Sequence, residues 1–171
     1  KENGAYSTFE GSPIQQGLFQ FDLWGVKPSD KYDWDSLRES IKQYGIRNST
    51  LIALMPTAST AQILGSTAEA MEPISSNMYT RSTLAGTFIV INKYLMRTLY
   101  NMGMWDDKMK QRLMYHKGSI QNITSIPKLI KDIFKTSYEI KQKSIIEMSA
   151  DRGPYVCQSQ SLNLFLENDD V

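Results

Sequence analysis

"STLIALMPTASTAQILG", residues 49–65, begins as a strand and ends as a helix. Nearly every residue from 49 to 55 is apolar or small, the pattern of a buried strand, and a short helix is expected from about Ser59. The link between them is Pro56-Thr57-Ala58-Ser59-Thr60. A plain corner would more often use Gly, Asn or Asp. A strand, a tight polar loop and a helix N-terminus make a common phosphate cradle, because the first helical N–H groups lack intrahelical partners and the helix dipole adds positive potential. Thr57, Ser59 and Thr60 bring hydroxyl donors, each bond to a charged group contributing roughly 1.5–3 kcal/mol. The plainer alternative is a hydroxyl that only caps the helix.

Outward from this unit, short strands and helices alternate, which points to an α/β fold. Ser12-Pro13 resembles an N-cap with proline at the first helical position, followed by Ile14, Leu18 and Phe21 on one helical face. Asp33 is placed to cap a helix whose stripe is Leu37, Ile41 and Tyr44, with Gly45 as its stop. Residues 66–85 form a long polar connection, and connections of this length inside a domain are often functional. "GTFIVIN" (86–92) is strand-like, and Asn92 is placed to cap a helix ending near Gly103. "WDDKMKQRLMYHKG" predicts another helix ending near Gly118. The longest helix is expected from Ser125-Ile126-Pro127 to Gly153, with Leu129, Ile133, Ile140, Ser144 and Met148 along one side. "YVCQSQSLNLFL" is strand-like again, with polar residues where a buried strand would be apolar.

Composition narrows the classes. The chain has 171 residues, 41% hydrophobic and 22% charged, with 19 basic against 18 acidic residues and a net charge of +1. That balance argues against a nucleic-acid binder, whose affinity needs a concentrated basic surface. It offers no polybasic membrane patch either. Apolar runs are far short of a bilayer span and the first residues lack a signal-peptide core, so a cytoplasmic location is expected. A single cysteine, Cys157, and a single histidine, His116, exclude an internal disulfide and the usual zinc spacings. No metal site is expected.

The remaining candidates have ordinary explanations beside the functional ones. Alternation puts Gln158 and Gln160 on one face of a strand and Ser159 and Ser161 on the other: a polar cavity wall, or a solvated edge. His116 falls at a helix end, where a cation complements the dipole. Cys157, next to Val156, reads as a small buried hydrophobe rather than a nucleophile. Trp24, Trp34 and Trp105 read as packing anchors.

Residues 34–65, "WDSLRESIKQYGIRNSTLIALMPTASTAQILG", resemble the signature of the large, catalytic subunit of class I ribonucleotide reductase, in its eukaryotic and eukaryote-like viral branch. "FEGSPIQQGLFQFDLW", "EPISSNMYTRSTLAGTF", "GSIQNI" and "DRGPYVCQSQSLN" follow in the family's order and spacing. The resemblance implies that residues 1–171 are one segment of the catalytic barrel domain, an incomplete part of a ten-stranded α/β barrel with three or four of its strands. It implies an enzyme that reduces ribonucleoside diphosphates to 2′-deoxyribonucleoside diphosphates for DNA synthesis through a thiyl radical.

By the same resemblance, Pro56, Thr57, Ala58, Ser59 and Thr60 bind the substrate diphosphate, largely through backbone N–H groups. Small side chains let the phosphates approach, so Ala58 matters because it leaves room. The likeness places this chain after the finger loop that bears the radical cysteine, so no catalytic residue is expected within it, and the isolated segment is expected to be inactive. The family commonly has an acidic residue at Cys157 and often proline at Leu54. The intact enzyme is expected to use dNTP and ATP effectors, a metal-linked radical from the small subunit, and thioredoxin or glutaredoxin as reductant; none of these is expected to bind this segment. Expected partners are the rest of the large subunit, the small subunit and further large subunits, with no membrane and no direct nucleic-acid contact. The alternative is a split or decayed, non-catalytic relative that binds nucleotides or the reductase.

Overall fold

The computed structural model describes residues 2–65 and 68–166. Two compact units are present: Lys1–Met55 with Ile145–Leu162, and Pro56–Ser144 with Asn163–Val171.

In the first unit, α1 (Gln20–Leu23) and α2 (Trp34–Tyr44) are set by local chemistry. Asp33 Oδ1 accepts the Ser36 N–H at 2.9 Å and Gly45 stops α2 at φ +73, as the sequence predicts. Ile41 is the buried member of the α2 stripe, while Leu37 and Tyr44 remain largely exposed. Trp34 stacks edge-on against Phe19, Phe21 and Tyr32. Arg38 reaches back from α2 and grips the Asp22 carboxylate with both terminal nitrogens, at 2.7 and 2.8 Å.

The helix expected after Pro13 does not form. Residues 10–17 make successive turns, and Gly17 at φ +81 breaks the run before α1. Residues 49–55 form no strand, contrary to the buried-strand expectation: Ser49 is a bend and 50–55 have no regular structure. A strand exists by its ladder, and among the described residues this stretch makes a single backbone bond of that kind, from Cys157 N–H to the Ile52 carbonyl at 3.2 Å. Leu51, Ile52 and Met55 are 62%, 49% and 65% exposed. The strand-like 155–166 is likewise without strand assignment.

The second unit holds a well-formed core. Leu95 and Leu99 of α4 (Lys93–Asn101), Met109 and Leu113 of α5 (Asp107–Tyr115), and Ile120, Ile123 and Ile126 form one buried cluster. Trp105 packs against it, as an anchor should. Asn92 is the cap the sequence predicts, its Oδ1 accepting the N–H groups of Tyr94 and Leu95, and Asp106 caps α5 by accepting the Met109 N–H at Oδ1. The helix after the phosphate-type loop is α3 (Ala58–Leu64), beginning one residue before the expected start.

Strand β1 (Met78–Thr83) pairs antiparallel with β2 (Gly86–Ile91), Thr83 opposite Gly86 and Met78 opposite Ile91. Only β2 was expected. β1 lies inside the stretch read as a polar connection, because "MYTRST" has no apolar alternation and owes its conformation to its partner. This hairpin is the one sheet among the described residues, so the expected barrel strands are not formed here.

The long helix expected over 125–153 is broken into α6 (Lys128–Ile133), a 3-10 turn Ser137–Glu139, and α7 (Gln142–Arg152). Its start after Pro127 is as expected. The break comes where Ser137 N–H donates to the Ile74 carbonyl at 2.8 Å and Thr136 N–H to Glu139 Oε2 at 2.8 Å. A continuous helix would forfeit both bonds and expose the buried Thr136 and Ser137.

Candidate functional site

The loop Pro56–Thr60 lies in the second unit and is open to solvent, with Thr57 half-buried and the other four residues exposed. Thr57 is the N-cap of α3 and sits in the left-handed region, at φ +53 and ψ +22. A β-branched residue rarely adopts that conformation. The first intrahelical bond runs from Ala61 N–H to the Thr57 carbonyl at 2.7 Å. The N–H groups of Ala58, Ser59 and Thr60 precede it and have no intrahelical acceptor.

The Thr57 side chain does not cap its own helix. Its Oγ1 accepts the N–H of Ala70, thirteen residues onward, at 2.8 Å. The plainer sequence reading, a hydroxyl spent on capping, therefore does not hold for Thr57. Among the described residues these three backbone donors, of Ala58, Ser59 and Thr60, have no partner, and the loop adds a serine hydroxyl, a threonine hydroxyl and the small methyl of Ala58. Backbone N–H groups gathered at a helix start are the kind of donors that suit a compact anion.

At the far end of α3, Gly65 closes the helix at φ +69 and its carbonyl accepts Lys93 Nζ at 2.6 Å. Lys93 and Arg81 line a hollow of about 240 Å³ there. Seven helical residues at about 1.5 Å each put roughly 10 Å between the two ends. Lys93 therefore complements the negative end of the helix and is not part of the loop's donor set.

The other candidates fall into structural roles. Gln160 Oε1 accepts from Arg152 Nε at 3.2 Å and Ser149 Oγ at 3.4 Å, and its Nε2 donates to the Ser149 carbonyl at 2.9 Å. Its amide is used up in tying the extended segment to α7. Gln158 donates instead to Thr50 Oγ1 at 3.3 Å and is exposed. The two glutamines thus do not make a common cavity wall. His116 is the C-cap of α5, the helix-end position expected for it. Cys157 is half-buried and lines an apolar hollow of about 210 Å³ with Ile14, Leu18, Leu23 and Leu51. Among the described residues no three His, Cys, Asp or Glu side chains are grouped as metal ligands, and no helix is long and apolar enough to cross a membrane.

Sequence reasoning missed Ala70, Glu72 and Asn163. Ala70 N–H holds Thr57, and Asn163 holds the Glu72 carboxylate. No periodicity or spacing marks these residues, since their partners are 13 and 91 positions away.

Comparison with known proteins bears on the whole chain. The family profile described as "Ribonucleotide reductase, barrel domain" matches residues 1–171. The ribonucleoside-diphosphate reductase large chain of Cryptosporidium parvum is 55% identical over 166 residues, covering 96% of this chain and 20% of that protein. The large subunit from Caenorhabditis elegans is 55% identical over 164 residues, covering 96% of this chain and 21% of that one. Among solved structures, the Actinobacillus ureae class Id ribonucleotide reductase alpha subunit aligns with a TM-score of 0.62 at 34% identity, over 74% of this chain and 22% of that one. The chain thus spans about a fifth of the length of the relatives it matches.

Proposed function

This chain belongs to the ribonucleotide reductase large subunits, within their barrel domain, and from that premise we propose that Pro56–Thr60 holds the diphosphate of a ribonucleoside diphosphate substrate. The protein that carries the chain then reduces ribonucleoside diphosphates to 2′-deoxyribonucleoside diphosphates. We propose residues 1–171 as a single segment of that catalytic barrel, whose remaining strands complete it.

One observation carries the loop assignment. Thr57 stands in a left-handed conformation at the start of α3, followed by three N–H groups on the exposed residues Ala58, Ser59 and Thr60. Left-handed backbone at a non-glycine residue costs on the order of 1–3 kcal/mol, and such strain concentrates at ligand clamps. The N–H groups of Ala58, Ser59 and Thr60 bind phosphate oxygens, and the Ser59 and Thr60 hydroxyls add donors. The loop anchors and orients the substrate; it moves no proton and forms no covalent bond. Ribose chemistry by thiyl radical needs several thiols, and this chain has Cys157 alone. The radical and the reducing thiols come from the rest of the large subunit and from the small subunit. Thioredoxin or glutaredoxin supplies the electrons, and nucleoside triphosphate effectors act on other regions. A cytoplasmic setting suits that chemistry.

The test is Ala58→Trp in the complete reductase. An indole over the N–H groups should raise KM for all four diphosphates alike, because the loop reads phosphate and not base. An unchanged KM, or a change confined to one base, overturns the assignment.

A further inference from the structure

The turn that supplies the Ala70 N–H is not held by packing. Glu69, Ala70 and Met71 are exposed, and Ala70 itself is left-handed at φ +48. The turn is closed by Glu72 N–H donating to the Glu69 carbonyl at 3.2 Å. Without compensation, an alanine in that region relaxes toward ordinary backbone conformations.

Compensation comes from a residue 91 positions further on. Asn163 Nδ2 lies 2.9 Å from each oxygen of the Glu72 carboxylate, and the Asn163 N–H donates to Oε1 at 3.2 Å. Asn163 is itself fixed close by: Phe165 N–H donates to Gln142 Oε1 at 2.8 Å, and the Phe165 ring meets Tyr138 edge-on at 5.6 Å. A hollow of about 350 Å³, lined by Glu69, Glu72, Ser75, Tyr79 and Asn163 among others, adjoins the contact. The Asn163–Glu72 contact therefore restrains a turn that has little else to lean on. A continuous chain of bonds runs from Asn163 through Glu72 and the 69–72 turn to Ala70 N–H and Thr57 Oγ1.

We propose that Asn163 is a positioning residue for the phosphate loop, acting through Glu72 and Ala70 to hold Thr57 with its hydroxyl oxygen occupied and its hydroxyl proton free for the ligand. A threonine hydroxyl has one donor and two acceptor sites. Accepting from Ala70 leaves the donor unspent and fixes the oxygen from which it points. The same bond holds Thr57 at its left-handed φ, and with it the direction of the next three N–H groups. This rests on the reading of Pro56–Thr60 as the diphosphate site.

The experiment uses the complete reductase. Asn163→Asp puts a carboxylate against the Glu72 carboxylate and should raise KM for all four diphosphates by about fivefold, within the range seen for residues acting through others. kcat at saturation should stay within about twofold, since bound substrate still meets an intact catalytic centre. Adding Glu72→Gln restores a donor–acceptor pair, the glutamine amide to the aspartate, and should bring KM back. Glu72→Ala removes the acceptor without adding charge and carries the same expected rise in KM should Asn163→Asp not fold. An unchanged KM in the variant that folds overturns the proposal, as does an Asn163→Asp defect that Glu72→Gln fails to repair. If Ala58→Trp raises KM while the Asn163 and Glu72 variants do not, the loop reading stands and the positioning role falls. If Ala58→Trp changes nothing, both fall together.

Discussion

Asn92 Nδ2 donates to Asn77 Oδ1 at 2.9 Å, with both side chains buried in the second unit. Asn77 also donates its Nδ2 to the Phe134 carbonyl at 2.9 Å, and its own carbonyl accepts Asn92 N–H at 2.8 Å. Asn92 Oδ1 meanwhile caps α4. One amide pair therefore joins the entry to β1, the start of α4 and the end of α6. Replacing Asn77 by Leu keeps the branched shape but takes the partners from Asn92 Nδ2 and the Phe134 carbonyl and adds bulk at a fully buried position. The expected loss is about 2–4 kcal/mol, read as a lowered urea midpoint. A loss under about 0.5 kcal/mol would mean the network contributes little.

Gly118 stands at φ +83 where the chain passes Ser76 and the N–H of Met78. A Cβ there would meet Ser76 Oγ and come within 2.8 Å of Met78 N. Ser76 Oγ is itself committed, bonded to the Met78 and Lys117 carbonyls. Gly118→Ala should therefore destabilise by about 2 kcal/mol or more, from backbone strain and contact together. Thermal unfolding measures it, and an unshifted Tm would refute the close approach.

The Arg38–Asp22 pair gives a pH dependence with a definite sign. The Arg38 guanidinium holds the Asp22 carboxyl below the ordinary carboxylate pKa, helped by the Phe19 N–H and opposed by partial burial. A group whose pKa is lower folded than unfolded contributes stability that is complete above the unfolded value, near 4, and is lost as pH falls through the folded value. Solvent reaches both side chains, so the contribution is about 1 kcal/mol. Denaturation midpoints followed below pH 5 should fall less steeply for Asp22→Asn than for the parent. Parallel acid limbs would show that the pair does not couple to folding.

Ser59→Ala in the complete reductase removes one hydroxyl and no backbone donor from the loop. If N–H groups dominate phosphate binding, the loss is about 1 kcal/mol, a rise of roughly fivefold in KM with kcat unchanged. A loss of several hundredfold would transfer the main role from backbone to side chain.

The extended run at 51–55 leaves Leu51, Ile52 and Met55 facing solvent with its backbone largely unpaired. Such edges associate with other strands. The chain by itself should scatter light as a species larger than a monomer at high concentration. A clean monomer would mean that these edges are protected.

Local bonds made much of the fold legible. Asp33 and Asn92 satisfy N–H groups two or three residues ahead, so α2 could be placed from its cap, stripe and stop, and α4 from its cap and stop. The loop Pro56–Thr60 was legible for the same reason, as small and hydroxylated residues before a helix. The break at 134–136 was not, because it depends on Ser137 meeting Ile74 across 63 positions.

The sequence by itself determined the caps at Asp33 and Asn92, the loop's open chemistry and, through several ordered motifs, membership of the reductase family. Tertiary structure alone decided that "MYTRST" is a strand, that the long helix breaks, and that 49–55 makes no ladder. It also decided that the Thr57 hydroxyl answers to Ala70 and, through Glu72, to Asn163. The division follows the range of the hydrogen bonds. A donor that finds its acceptor within one turn of chain leaves a pattern in the residues, whereas one that finds it after thirteen or ninety-one leaves none until the chain has folded.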